Sequence, residues 1–262
     1  MKPITLITGA SSGIGAELAQ VFAANGHDLV LVARRQDRLQ ALADRIAASG
    51  RPRPIVLAED LEERDAVTKI AAQLQLLDVE PQFVVNNAGF GLAGPAAALD
   101  RAGQLAMIDV NVRALTELSL AFVDSLGRRR GGILNVASIA AFMPGPGMAV
   151  YYATKAYVLS FSEALHHELA GRGIRVTALC PGPVPTEFQA RSGMELPAAA
   201  KIIELPPARV AEIGYAALMR GQRVAIAGAG NKLAVAVMRF LPNALLLRLV
   251  DQRTQGTRGG GA

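Results

Sequence analysis

The sequence predicts an α/β protein, a doubly wound parallel sheet of about seven strands with helices on both faces. Three observations predict it. Short apolar runs alternate with longer stretches of helical period as far as about residue 227. Most of the runs are continuously apolar, as strands are when helices cover both faces of a sheet. The connections are short, and right-handed crossovers between parallel strands then put helices on either side. The chain has 262 residues, 51% of them apolar, enough for a sizeable core. With no Trp and 5% aromatics, that core must be built from Ala, Val, Leu and Ile. No linker interrupts the pattern, so residues 1–252 are expected to form a single domain.

Strands are expected at 4–8, 29–33, 55–58, 83–86, 132–136, 175–180 and 223–227. Helices are expected at 13–25, 36–49, 61–77, 102–126, 153–170 and 208–220. Two stretches break the rhythm. Residues 181–207, rich in Pro and Ala, follow the sixth strand at the carboxyl edge of the sheet, where ligands bind in such folds, and are expected to be a substrate loop. Residues 231–250 are apolar, punctuated by Lys232, Arg239 and Arg248, and Pro242 is expected to split them into two helical pieces. Two readings of this segment stay open. It is a cap over the pocket or a subunit contact, or it is a peripheral helix on a membrane surface. The tail 253–262 is expected to be disordered.

Composition excludes several functions. The formal charge is +5, but the basic residues are scattered, without a basic stripe and interleaved aromatics, which argues against nucleic acid. Cys180 is the only cysteine, so a cysteine zinc site or internal disulfide is excluded. His166 and His167 are adjacent and point about 100° apart on a helix, so no metal site is expected; a solvated face is their simpler reading. Met1 runs straight into a strand pattern, and no apolar run reaches the ~18–20 residues of a span. A cytoplasmic location is expected.

Two sets of residues carry chemistry. The first is Thr8-Gly9-Ala10-Ser11-Ser12-Gly13-Ile14-Gly15, between the first strand and the first helix. Glycines in such a turn permit a tight bend, a close backbone approach to a pyrophosphate and close helix packing, and the helix N-terminus presents free N–H groups. At the end of the second strand, where an acid would hold the ribose hydroxyls of NAD, stand Arg34 and Arg35, which suit the 2′-phosphate of NADP. Asp37 nearby keeps NAD(H) as the alternative. The second set is Tyr151 and Lys155, one helical turn apart, with Ser138 at the end of the fifth strand and Asn111 upstream. Reducing a ketone takes a hydride on carbon and a proton on oxygen. A free phenol has a pKa near 10, and an adjacent ammonium is expected to lower that of Tyr151. Ser138 can hydrogen-bond the carbonyl oxygen, Lys155 can hold the nicotinamide ribose, and Asn111 can anchor a water beside Lys155. A Tyr-x-x-x-Lys spacing alone is a common accident of helices; the order of the other parts gives it weight.

Together these residues resemble the short-chain dehydrogenase/reductase family, a Rossmann-type fold, from residue 4 to about 227. The motifs are Gly9-x-x-x-Gly13-Ile14-Gly15, Asp60, Asn86-Asn87-Ala88-Gly89, Asn111, Ser138, Tyr151-x-x-x-Lys155 and Pro181-Gly182. The resemblance implies a catalytic tetrad of Asn111, Ser138, Tyr151 and Lys155. It implies that Asp60 and Leu61 meet the adenine, that Asn87, Ala88 and Gly89 line the ribose, and that Pro181, Gly182, Val184 and Thr186 contact the nicotinamide end. Ser11, Ser12 and Ile14 complete the implied phosphate turn. Many NADP-using members carry a basic residue where this chain has Ser12, so the phosphate preference rests on Arg34 and Arg35. The subgroup is that of general ketone or 3-oxoacyl-type reductases, and homodimers or homotetramers through the helices after the fourth and fifth strands are implied. The expected activity is NADP(H)-dependent reduction of a ketone or aldehyde, or oxidation of a secondary alcohol, on a small-molecule substrate. A non-catalytic dinucleotide-binding regulator and a membrane-surface lipid or acyl reductase are the competing readings.

Overall fold

Seven parallel strands lie in the order β3-β2-β1-β4-β5-β6-β7 in the computed structural model, which describes residues 1–193, 202–242, 244, 246 and 247. The strands are β1 (Lys2–Thr8), β2 (Leu29–Ala33), β3 (Ile55–Ala58), β4 (Val79–Asn86), β5 (Gly132–Val136), β6 (Arg175–Cys180) and β7 (Val224–Ile226). The chain winds outward from β1 to β3, then returns to β4 on the other side of β1. That reversal opens a crevice at the carboxyl ends of β1 and β4.

Continuous apolar runs become two cores because neighbouring side chains on a strand face opposite ways. Ile4, Leu6, Val30, Val32 and Val84 face one side. They meet Ile70 of α3 (Ala66–Leu76), Leu118 of α5 (Leu115–Ala121) and Leu165 of α7 (Ala149–Ala170). Ile7, Leu31, Phe83, Val85 and Leu134 face the other. There they meet Leu18 and Phe22 of α1 (Gly13–Ala24), Leu39 and Leu42 of α2 (Gln36–Ala48) and Val210 of the helix Pro207–Met219.

The helix expected over 102–126 is interrupted. It runs as α4 (Arg101–Ile108), a π-helical turn Asp109–Ala114, α5, and after a break at Phe122, α6 (Val123–Arg129). A π-turn inserts an extra residue into the ladder and here carries Asn111. The helix expected over 61–77 starts only at Ala66, because Arg113 from the π-turn donates to the carbonyls of Leu61, Glu62 and Glu63 and holds them as a turn. Helix α7 starts four residues earlier than expected, so Tyr151 and Lys155 both lie inside it. Of the expected loop 181–207, residues 194–201 lie outside the described residues; the described part contains a short helix, α8 (Glu187–Ser192), ahead of α9 (Pro207–Met219). His166 is half-buried, its Nδ1 2.8 Å from the Val176 carbonyl oxygen, instead of on a solvated face.

A buried polar ladder, unexpected from the apolar strand pattern, crosses between the central strands. Asn86 Nδ2 donates to Ser119 Oγ (2.9 Å) and to Asn135 Oδ1 (2.8 Å), and Asn135 Nδ2 donates to Ser162 Oγ (2.9 Å). It ties β4 and β5 to α5 and α7 beneath the crevice. Of the C-terminal segment, α10 (Ala229–Phe240) is described; its Asn231 and Val235 are buried, while Leu233, Val237 and Phe240 stand exposed along one face. The 253–262 tail lies outside the described residues. Among the described residues no helix is long and apolar enough to cross a membrane.

Candidate active site

The crevice is a cleft of about 680 Å³ that runs from the end of β2 to α7. Its floor is the turn after β1. Gly9 and Gly13 adopt φ of +64° and +55°, a conformation that favours glycine. A Cβ on Gly9 would stand 2.8 Å from both Ala88 Cα and Asn87 Nδ2, and one on Gly15 would collide with the Gly9 carbonyl. The turn is locked to the end of β4. Thr8 Oγ1 accepts from the Asn87 and Ala88 N–H groups (3.1 Å each), and Asn87 Nδ2 donates to the Thr8 and Gly9 carbonyls at 2.9 and 3.2 Å. Ser11, Ser12, Ile14, Gly89, Pro181, Gly182, Val184 and Thr186 line the same cleft.

At its outer end stand the arginines. Arg34 pairs with Asp60 (3.4 Å) and Glu62 (3.0 Å). Arg35 donates to Ser12 Oγ (2.9 Å) and Ser11 Oγ (3.1 Å), which holds its guanidinium over the glycine turn. Leu61 is buried beside them. Arg38, one helical turn beyond Arg35, reaches the same region and pairs with Glu187 from α8. Sequence reasoning missed both. Arg38 carries a local signal, its place in the first turn of the helix that Arg34 and Arg35 lead into. Glu187 lies 152 residues from Arg35 and carries none. Asp37 sits exposed in the first turn of α2.

At the inner end, Ser138 closes β5 and starts a 3₁₀ turn, its Oγ accepting from the Ala140 N–H at 3.1 Å. The Tyr151 hydroxyl faces Ser138, whose side chain favours the phenolate. Lys155 is buried, with Nζ donating to the Val136 carbonyl (2.9 Å) and standing 5.8 Å from the Tyr151 ring centroid. Asn111 is buried too. Its Oδ1 accepts from the Phe90 N–H (3.1 Å), and its Nδ2 donates to the Phe90 carbonyl (2.9 Å) and to Thr154 Oγ1 (3.1 Å). Thr154 Oγ1 donates in turn to the Tyr151 carbonyl at 2.7 Å. Asn111 thus fixes the loop after β4 against α7, a positioning role beside the water-anchoring one expected.

One expectation is overturned. Lys155 was expected to lower the Tyr151 pKa. Burial is the larger effect and raises the phenol above its ordinary value; the Ser138 hydrogen bond opposes it in part. Burial likewise brings the Lys155 ammonium down to about 8. Both shifts follow from desolvation, which disfavours phenolate and ammonium alike.

Beyond Tyr151 the cleft is apolar. Ile139, Met143, Met148 and Phe188 line it, the Phe188 ring 5.3 Å from that of Tyr151, and Ala234 of α10 closes one side. Among the described residues no group of three or more His, Cys, Asp or Glu could hold a metal.

The family model for short chain dehydrogenase matches residues 3–196. Sulfoacetaldehyde reductase 2 of Chromohalobacter salexigens is 39% identical over 191 residues, which cover 72% of this chain and 75% of that protein. Among solved structures, a short-chain dehydrogenase from Sphingobium yanoikuyae in complex with NADPH is 32% identical with a TM-score of 0.77, covering 100% of this chain and 97% of that one. The bulky-bulky ketone specific alcohol dehydrogenase from Comamonas testosteroni is 28% identical with a TM-score of 0.74, covering 100% and 95%. A parallel sheet in this strand order, a glycine cradle at its switch point and a sequence match over most of its length have one common meaning: the chain belongs to the short-chain dehydrogenase family.

Proposed function

We propose that this protein is an NADP(H)-dependent carbonyl reductase, with Tyr151 as the proton donor. The residues fit the dinucleotide. The glycine turn packs so closely against Asn87 and Ala88 that a Cβ on Gly9 or Gly15 would collide, which keeps the bend tight, and Arg35 reaches over the same turn. Gly9 to Gly15 would hold the pyrophosphate, Asp60 and Leu61 the adenine, Arg34 and Arg35 the 2′-phosphate, Asn87 to Gly89 the ribose, and Pro181, Gly182, Val184 and Thr186 the nicotinamide end. The end of β2 offers two cations and no acid, which favours NADP(H) over NAD(H). When bound, the dihydronicotinamide supplies the hydride.

The chain's own residues supply the proton and the orientation. A phenol is protonated at neutral pH, so Tyr151 can donate to a carbonyl oxygen; burial makes it a weaker acid, and the Ser138 side chain offsets that in part. Ser138, facing the Tyr151 hydroxyl, can donate to the same oxygen as negative charge develops on it. The Lys155 ammonium, 5.8 Å from the ring centroid, would oppose the cost of burial and help to carry the phenolate left after donation. Ile139, Met143, Met148 and Phe188 fit apolar substituents on the carbonyl carbon. Leu105 and Ile108 of α4, Leu120 of α5 and Tyr157 of α7 are exposed apolar residues on the helices after β4 and β5, which supports a homodimer or homotetramer through that face.

The observation that carries this reading is the convergence of Ser138, Tyr151 and Lys155 at the inner end of the cleft, with Lys155 Nζ 5.8 Å from the Tyr151 ring centroid. Tyr151→Phe should reduce NADPH consumption with an aryl ketone by at least about 10³-fold while NADPH binding, read by nicotinamide fluorescence, stays near wild type. Equal loss of binding and turnover, or a wild type inert toward ketones, aldehydes, quinones and 3-oxoacyl thioesters, would overturn it.

A further inference from the structure

Helix α8 lies across the mouth of the cleft and is fastened on both sides. At its start, Glu187 Oε2 accepts from Arg35 Nη1 at 2.8 Å and Oε1 accepts from Arg38 Nη1. At its end, the Ser192 carbonyl accepts from the Ala93 N–H at 2.8 Å, and the Arg191 guanidinium stands 4.8 Å from the Phe90 ring centroid. Arg35 thus spans two loops. Its Nε and Nη2 serve the Ser11 and Ser12 hydroxyls, and its Nη1 serves Glu187. A phosphate held by Arg35 would meet a carboxylate already on the same guanidinium. Two anions repel at that distance, and one planar fork cannot serve both fully.

We propose that Glu187 is a cofactor-specificity residue. Its carboxylate occupies Arg35 and Arg38 until the 2′-phosphate of NADP(H) replaces it, so that NADP(H), but not NAD(H), unfastens the start of α8. This rests on the NADP(H) reading above. The pair of guanidinium hydrogen bonds, Arg38 first, holds the Glu187 carboxyl down at about 2, so the carboxylate is present at every pH at which the protein would be studied. The competition is therefore one of charge and geometry. An interaction that must break on binding weakens that binding by its own worth, and the ligand can shift α8 only through such a difference. Both ion pairs are partly exposed, with side-chain exposures of 39%, 45% and 51% for Arg35, Arg38 and Glu187, so the effect is modest.

The experiment compares dissociation constants for NADPH, NADH, adenosine 2′,5′-bisphosphate and 5′-AMP, by calorimetry, without turnover. Glu187→Gln should tighten NADPH and the bisphosphate by about three- to tenfold and leave NADH and AMP within about twofold. Glu187→Asp, which keeps the charge, should stay close to wild type. In an Arg35→Ala background the gain should vanish. Weaker or unchanged NADPH binding in Glu187→Gln, or an equal gain for NADH, would sink the proposal. A wild type that binds neither 2′-phosphorylated ligand would instead remove the NADP(H) reading on which it stands.

Discussion

The two ends of the cleft are held by different physics. At the inner end, Asn111 and Lys155 are buried and fixed by hydrogen bonds to backbone, on the Phe90 N–H and carbonyl and on the Val136 carbonyl. At the outer end, Arg34, Arg35 and Arg38 are partly exposed and fixed by ion pairs to acids that come from elsewhere in the chain. A buried polar group left without its partner costs about 1–3 kcal/mol, whereas an exposed ion pair contributes about 0.2–1 kcal/mol. The inner end is therefore pre-set for proton transfer, which needs fixed distances. The outer end is easily rearranged, which suits a place where one anion displaces another.

The largest expected effect tests the rigid end. Asn111→Ala leaves the Phe90 N–H and carbonyl without partners and cuts the chain from Asn111 through Thr154 to the Tyr151 carbonyl. It should cost about 3 kcal/mol in urea unfolding, from the two stranded backbone groups and the cavity together. A loss under about 1 kcal/mol would mean that the inner end is no better fixed than the outer one.

The outer end should respond less, and only to one ligand. Arg35→Ala should weaken NADPH about tenfold, roughly 1.4 kcal/mol, with little change for NADH. Arg34→Ala should do less, because Asp60 and Glu62 already claim that guanidinium, whereas Arg35 also leans on neutral serine hydroxyls. Titration with both nucleotides checks the order. A larger loss for Arg34→Ala would move the phosphate site toward Asp60.

The same contrast governs what was legible beforehand. The positions of the strands, the glycine turn, and Ser138, Tyr151 and Lys155 come from local patterns: apolar runs, one helical turn of spacing, and the end of a strand. Three things do not. The π-turn at Asn111 keeps nearly helical periodicity, so the stretch reads as one helix. Helix α7 starts at Ala149 directly after the glycine and proline of Gly145-Pro146-Gly147, which read as loop on both sides. The direction of the Tyr151 shift depends on burial in the folded chain, whereas the motif names only its neighbour. Glu187 belongs with these, since its partners are fixed by how α8 crosses the cleft and not by any spacing. Local patterns thus named the rigid end almost completely, and the adaptable end only on the side of its arginines.

The smallest effect bears on why the rigid end keeps a buried cation at all. The folded pKa of Lys155, about 8, lies below its ordinary 10.5. Between these values the unfolded chain binds the proton and the folded chain does not, so this group makes stability rise as pH climbs from 8 to 10.5, and its full cost is present below 8. That cost is about 3 kcal/mol at 1.36 kcal/mol per unit. Lys155→Met removes it, but also removes a charged donor from the Val136 carbonyl, a loss of about 2 kcal/mol. The variant should therefore be inactive yet about 1 kcal/mol more stable at pH 7, and the gain should fade and reverse as pH approaches 10.5. Urea unfolding at pH 7 and pH 10 reads both numbers. A Lys155→Met variant that is less stable than wild type at pH 7 would mean that the ammonium is held there by its neighbours and not against them. A gain that fades with pH would identify Lys155 as a charge the fold bears for the sake of the phenol above it.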